Sequence, residues 1–131
     1  MATIFTKIVN GEIPCYKIAE NEHFLAFLDV FPLVKGHTLV IPKQEINYIF
    51  DIEDSLLADM MVFSKTVAKA VKAAIPCERI GVTVIGLEVP HAHIHLVPIN
   101  TVSDMNFSLP KISVEKAEME LIAAAIRANL V

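Results

Sequence analysis

The chain has little of what builds secreted, fibrous or membrane-bound proteins. It carries only two cysteines, Cys15 and Cys77, far apart and in no C-x-x-C spacing, which excludes a disulfide framework and predicts buried free thiols. Four glycines and seven prolines leave no flexible or low-complexity linker, and there is no internal repeat. No apolar run approaches the roughly 20 residues of a membrane span, because Asp59, Lys65, Lys69 and Lys72 interrupt the longest. The N-terminal stretch has no apolar core of signal-peptide length, so a cytoplasmic location is expected. Positive charge is also scarce. Eleven Lys and Arg against fifteen Asp and Glu give a formal net charge of -4, which offers no basic face for a nucleic-acid backbone.

What the chain does have is apolar side chains, 54% of 131 residues with a mean hydropathy of +0.54. That excludes disorder and predicts a single domain over residues 1–131. A domain this small has much surface for its core, so the apolar excess predicts that a second copy covers part of it as a homodimer.

The periodicities define the elements. Ile4, Phe5, Ile8 and Val9 have helical spacing, closed by Asn10-Gly11. Tyr16 to Ala19, Phe24 to Leu28 and His37 to Ile41 read as strands, the first two as a hairpin. From Asp51, the apolar residues Leu56, Leu57, Met60, Met61, Phe63, Val67, Val71 and Ile75 recur at three and four. They predict a long helix capped by Asp51, favoured at its start by Asp54 and stopped by Pro76. Arg79 to Ile85 and Ala92 to Ile99 read as two more strands, followed by an irregular stretch and a last helix over about Glu115 to Leu130. The fold class is therefore α+β, with an antiparallel sheet of about five strands and one long helix packed on it.

The chemistry concentrates in His91-Ala-His93-Ile-His95-Leu-Val-Pro98. On a strand, imidazoles at i, i+2 and i+4 leave one face while Ala92, Ile94 and Leu96 enter the core. Random placement of five histidines produces such a triple only about 0.003 times per chain of this length. An exposed strand face accounts for it poorly, since exposed strands mix Thr, Lys, Glu and Arg. A metal site needs a further ligand, for which Glu88 and His37 are candidates. A nucleophilic site needs a neutral His whose far ring nitrogen holds its proton against a fixed acceptor, leaving the near lone pair free. His93 suits that role best, with His91 and His95 placed to donate hydrogen bonds to substrate oxygens or to a leaving group. Phosphorus is the natural electrophile, because several imidazoles can stabilise the charge spread over its oxygens.

This run matches H-φ-H-φ-H-φ-φ, φ being apolar, at every position and resembles the histidine triad (HIT) superfamily. Ile4-Phe5-Thr-Lys-Ile8-Val, Gly11-Glu-Ile-Pro14, Phe27-Leu-Asp29 and Gly36-His37-Thr-Leu-Val-Ile-Pro42 are similar to the Hint-like branch, in order. The resemblance covers about the first hundred residues. It implies a HIT-like homodimer that binds a purine nucleotide and cleaves its α-phosphate from an amine or other leaving group, with no cofactor. It further implies His93 as nucleophile and His95, His91 and His37 as the imidazoles that orient it and surround the phosphate. Asp29 would accept from the ribose hydroxyls, and Phe5, Ile8, Phe27, Leu28 and Val30 would enclose the base. From the residues alone, Phe5, Ile8 and Phe27 read as core, Asp29 equally as a turn residue, and His37 as a polar strand end.

Two departures qualify the resemblance. Thr3 and Thr6 stand where many bacterial relatives carry C-x-x-C, so a structural zinc is not expected. Val84-Ile-Gly-Leu87-Glu88-Val-Pro90 is shorter than the usual Gly-rich segment and lacks its amide and hydroxyl donors, each worth on the order of 10²-fold in rate. Glu88 is expected either to favour amine leaving groups over polyphosphate tails or to be a solvated strand-end carboxylate. Rival functions are hydrolysis of dinucleoside polyphosphates, nucleotide binding with little catalysis, and a metalloprotein.

Overall fold

Thr3 opens the first helix, α1 (Ile4–Val9), by accepting the Thr6 N–H on its hydroxyl at 3.0 Å, one of the donors that a helix start leaves unpaired. The computed structural model describes residues 2–131. After Gly11, in the left-handed region at φ +79°, the chain enters the hairpin of β1 (Lys17–Glu20) and β2 (Phe24–Leu28). The turn is held by Asn21, whose side-chain oxygen accepts the N–H groups of His23 and Phe24, both at 2.9 Å. Next come β3 (Thr38–Pro42), the long helix α2 (Asp54–Ala74), β4 (Arg79–Thr83), β5 (Ile94–Ile99) and α3 (Lys116–Arg127). The strands form one antiparallel sheet in the order β1-β2-β3-β5-β4, an α+β fold of five strands as the periodicities predict.

The sheet has two unlike faces. Phe24, Ala26, Leu28, Val40, Ile94 and Leu96 point toward α2 and α3 and pack with Met60, Val67, Val71 and Ile126. Their neighbours in sequence, Leu25, Phe27, Leu39 and Ile41, point the other way and pack under Phe5 of α1. Each fully buried side chain of this size contributes about 1.5–3 kcal/mol, so both layers hold the sheet, one thick and one thin. No described helix is long and apolar enough to cross a membrane.

β1 and β3 shift by a residue from the sequence expectation, β4 stops at Thr83 rather than Ile85, and the last helix ends at Arg127 rather than Leu130. Three further boundaries differ for evident physical reasons. The cap of α2 is Glu53, which accepts from the Ser55 N–H at 3.2 Å and the Ser55 hydroxyl at 2.6 Å, while Asp51 closes a short 3-10 turn, Ile49–Asp51. Ile75, just before Pro76, is extended, as the clash with a following proline ring requires. The third difference bears on the site. The last strand begins at Ile94, not Ala92: Pro42 opposite has no N–H to offer, and the Ala92 N–H goes instead to the Ile46 carbonyl at 2.7 Å. The two cysteines are free, as expected, but half-buried rather than fully buried.

Candidate active site

Four of the five histidines converge at the ends of β3 and β5, on the face that carries α1. His37 is 1% exposed, His91 0%, His93 6% and His95 7%, so the run is not a solvated strand face. What separates the four is how their ring nitrogens are engaged.

His93 Nδ1 lies 2.8 Å from the His91 carbonyl oxygen, which can only accept. The proton of the neutral ring therefore sits on Nδ1 and the lone pair on Nε2. A second chain starts at the Leu33 N–H, which donates to His37 Nδ1 at 3.1 Å. That donor forces the His37 proton onto Nε2, from which it is donated to His95 Nδ1 at 2.9 Å. His95 must then keep its own proton on Nε2. No described group bonds His93 Nε2 or His95 Nε2, and no buried side-chain nitrogen or oxygen among the described residues lacks a partner. Both atoms therefore reach the surface, side by side, with ring centroids 4.9 Å apart. One offers a lone pair and the other an N–H.

The His91 side chain has a different place from the one expected. Its Nε2–H donates to the Pro42 carbonyl at 2.8 Å, and its Nδ1 lies 2.9 Å from the Thr3 hydroxyl. Fully buried and with both nitrogens engaged, it has nothing to donate to a substrate oxygen, and it acts on the site through its carbonyl. Glu45, which the sequence reading did not single out, closes this lattice by accepting from the Thr3 N–H at 2.8 Å and the Thr6 hydroxyl at 2.6 Å. These two bonds hold its carboxyl below the usual range.

Burial keeps the second pair of imidazoles neutral. Desolvation, then the charge of Lys111, brings His37 down to about 4, and desolvation, then His37 itself, brings His95 down to about 3. Asp29, 3.6 Å from His37 Nε2, is raised above its ordinary range, chiefly by burial, against the Phe31 N–H that it accepts at 2.8 Å. Gly36 seats this loop: at φ +90° it turns the chain into His37, and a Cβ there would meet the Ile75 side chain at 2.8 Å.

Asp29, His37 and His95 each bring a ligating atom within 4.8 Å of the others. To bind a metal, His37 Nε2 would have to lose its proton, and moving it to Nδ1 would set it against the Leu33 N–H. The arrangement is fitted to pass a hydrogen bond outward.

Of the residues expected around a base, Phe5 and Phe27 meet edge to face at 5.7 Å, and the Phe5 ring stands 5.0 Å from that of His93. Ile8 packs beside them, half-buried. Val30 is open to solvent at 57%, next to Phe31 at 71%. Leu28 does not join them: it turns into the core beneath α2 and α3, 1% exposed. Glu88 is exposed and its charge raises Asp29 slightly. The site also includes a residue from the irregular stretch, Phe107, whose ring packs perpendicular to His95 at 4.8 Å and to His37 at 5.9 Å.

An antiparallel sheet that brings a bare imidazole nitrogen and an imidazole N–H side by side to its surface sets a potential nucleophile next to a hydrogen-bond donor. The family follows from comparison: the HIT domain model matches residues 10–102. The chain belongs to the histidine triad (HIT) family. It is 40% identical over 103 residues to the adenosine 5'-monophosphoramidase of Schizosaccharomyces pombe, covering 75% of this chain and 74% of that protein. It is 40% identical over 98 residues to the adenosine 5'-monophosphoramidase of Saccharomyces cerevisiae, covering 74% of this chain but only 62% of that protein. Among solved structures, a Hit-like protein from Bartonella henselae matches with a TM-score of 0.84 and 31% identity, covering 98% of this chain and 96% of that one.

Proposed function

We propose that this protein hydrolyses nucleoside phosphoramidates, purine ones foremost, through a nucleotidyl-His93 intermediate. The observation that carries the reading is the bond from His93 Nδ1 to the His91 carbonyl, which leaves the Nε2 lone pair free at the surface of the site. Nε2 attacks the α-phosphorus, the P–N bond to the amine breaks, and the departing nitrogen takes the electron pair and a proton from solvent. Water then attacks the same phosphorus, the bond to Nε2 breaks, and the nucleoside monophosphate leaves. The His95 Nε2–H donates to a phosphoryl oxygen throughout. Asp29 receives the ribose hydroxyls, and Phe5, Ile8 and Phe27 with Val30 border the base. Two adenosine 5'-monophosphoramidases among its relatives support both the reaction and the purine. Glu88 places a negative charge near the site that opposes a polyphosphate tail.

Mixing enzyme with adenosine 5'-phosphoramidate, quenching in acid and weighing the protein should show a mass increment of one adenylyl group. His93→Gly should abolish the increment and lower turnover by about 10⁴-fold or more. An unmodified mass with full turnover would sink the reading. Faster turnover of a diadenosine polyphosphate than of the phosphoramidate would move the substrate class to the dinucleotides.

The reading includes a homodimer. β4 is an edge strand, and its Val82 (48%) lines one exposed apolar surface with Met61 (52%) and Val62 (65%) of α2, suited to a second copy. Sedimentation should give twice the chain mass; a monomer at micromolar concentration would remove this part. Two unpaired thiols fit the cytoplasm.

A further inference from the structure

A phosphate entering the site described above meets a poor electrostatic environment. The imidazoles of His37 and His95 are neutral, and Asp29 and Glu88 bring negative charge to the site. Two other lysines are committed elsewhere: Lys35 pairs with Glu118 at 2.7 Å and Lys43 with Glu20 at 2.7 Å. An anion desolvated there without a counter-charge would bind weakly.

The segment after β5 supplies one. Residues 106–112 run back across the site, fastened by the Ile112 N–H to the Pro32 carbonyl at 2.9 Å, in the loop that carries Asp29. Phe107 on this segment lies against His95 and His37. Lys111 is curled over it: its Nζ donates to the Phe107 carbonyl at 2.8 Å and stands 5.7 Å from the Phe107 ring centroid. Among the described residues it has no carboxylate partner within 4.0 Å, and its field reaches Asp29, His37 and His95 alike. Nζ also reaches the Leu109 carbonyl at 3.5 Å, so this exposed lysine, folded back onto its own strap beside the histidines, has one of its three N–H groups left to give.

We propose that Lys111 is the anion-binding residue of the site, meeting the negative charge of the nucleotide's phosphate, and that Phe107 and Lys111 together make residues 106–112 a substrate-recognition strap. The proposal rests on the nucleotide reading of the histidine site and adds to it a cation from a part of the chain outside the matched 10–102 region. The strap discriminates a nucleotide from its nucleoside. The neutral histidines supply hydrogen bonds to the phosphoryl oxygens, and Lys111 supplies charge.

The test is calorimetric titration of the full chain with AMP and with adenosine, for wild type, Lys111→Met and Lys111→Arg. Lys111→Met should weaken AMP about tenfold while leaving adenosine unchanged, the loss expected for one charge-assisted bond. Lys111→Arg should recover most of the affinity, and the wild-type preference for AMP should shrink with added salt while the Met variant's does not. Equal weakening of AMP and adenosine in the Met variant would make Lys111 a structural strap residue and overturn the proposal, as would no change for either. A wild type that binds neither ligand would sink the nucleotide reading, and this proposal with it. A wild type that binds AMP normally beside an indifferent Lys111→Met sinks the proposal alone.

Discussion

His91 and His95 are the two outer members of one alternating run, both largely buried, and they do opposite things. His91 faces inward: both ring nitrogens are spent on Pro42 and Thr3, and only its carbonyl touches His93. His95 faces outward: one nitrogen is spent on His37, and the other carries its proton to the surface. The difference lies in the partners, since a carbonyl in reach of a ring nitrogen consumes its proton and a donor in reach frees the other one. Identical side chains at identical spacing thus become a brace and a tool.

Breaking the outward chain should cost more than breaking the inward one. His95→Ala removes the donor itself and should lower kcat by about 10²-fold. His37→Ala leaves His95 free to adopt the other tautomer and should cost nearly as much. Single-turnover rates with a phosphoramidate check both, and a loss under threefold in either would contradict the outward role.

The inward chain predicts a smaller effect. Thr3→Val removes the neutral bond to His91, worth about 0.5–1.5 kcal/mol, together with the cap of α1, so turnover should fall by no more than about tenfold while the thermal midpoint also drops. Thr3 reaches His93 only through the brace, so the fall in kcat should exceed any change in KM. A rise in KM with unchanged kcat would show that Thr3 acts by positioning the base-bordering residues of α1 and not by bracing His91.

Much of this was legible in the sequence. Alternation in the run correctly placed Ala92, Ile94 and Leu96 in the core and the imidazoles opposite, because strand periodicity is local. The helical spacing after Asp51 likewise revealed α2, although not its cap. The bond partners were not legible: Thr3 and His91 are 88 residues apart, and no spacing rule pairs them. Leu28 was misplaced for a related reason. The sequence shows that it alternates with Phe27 but not which face α2 covers. Phe107 and Lys111 were invisible because a segment without period carries no sign of what it crosses.

Stability against pH sharpens the comparison with the smallest effect. An unfolded histidine titrates near 6.5, whereas His37 is held near 4 and His95 near 3. Between these values the unfolded chain binds more protons than the folded one, so stability rises with pH. The thermal midpoint should be level above about pH 7 and fall as the pH drops from 6.5 toward 4, with a slope of roughly two protons from His37 and His95, to which His91, also lowered by burial, adds. His37→Asn should flatten that slope by about half. A midpoint unchanged between pH 7 and pH 5 would mean that these rings are not buried neutral.

The most direct measurement is the ring ¹⁵N spectrum of labelled protein at neutral pH. Ring ¹⁵N shifts should show His93 protonated on Nδ1 with a bare Nε2, and His37, His91 and His95 protonated on Nε2. A proton on His93 Nε2, with Nδ1 bare, would contradict the account, for the ring would then have no lone pair to direct at phosphorus.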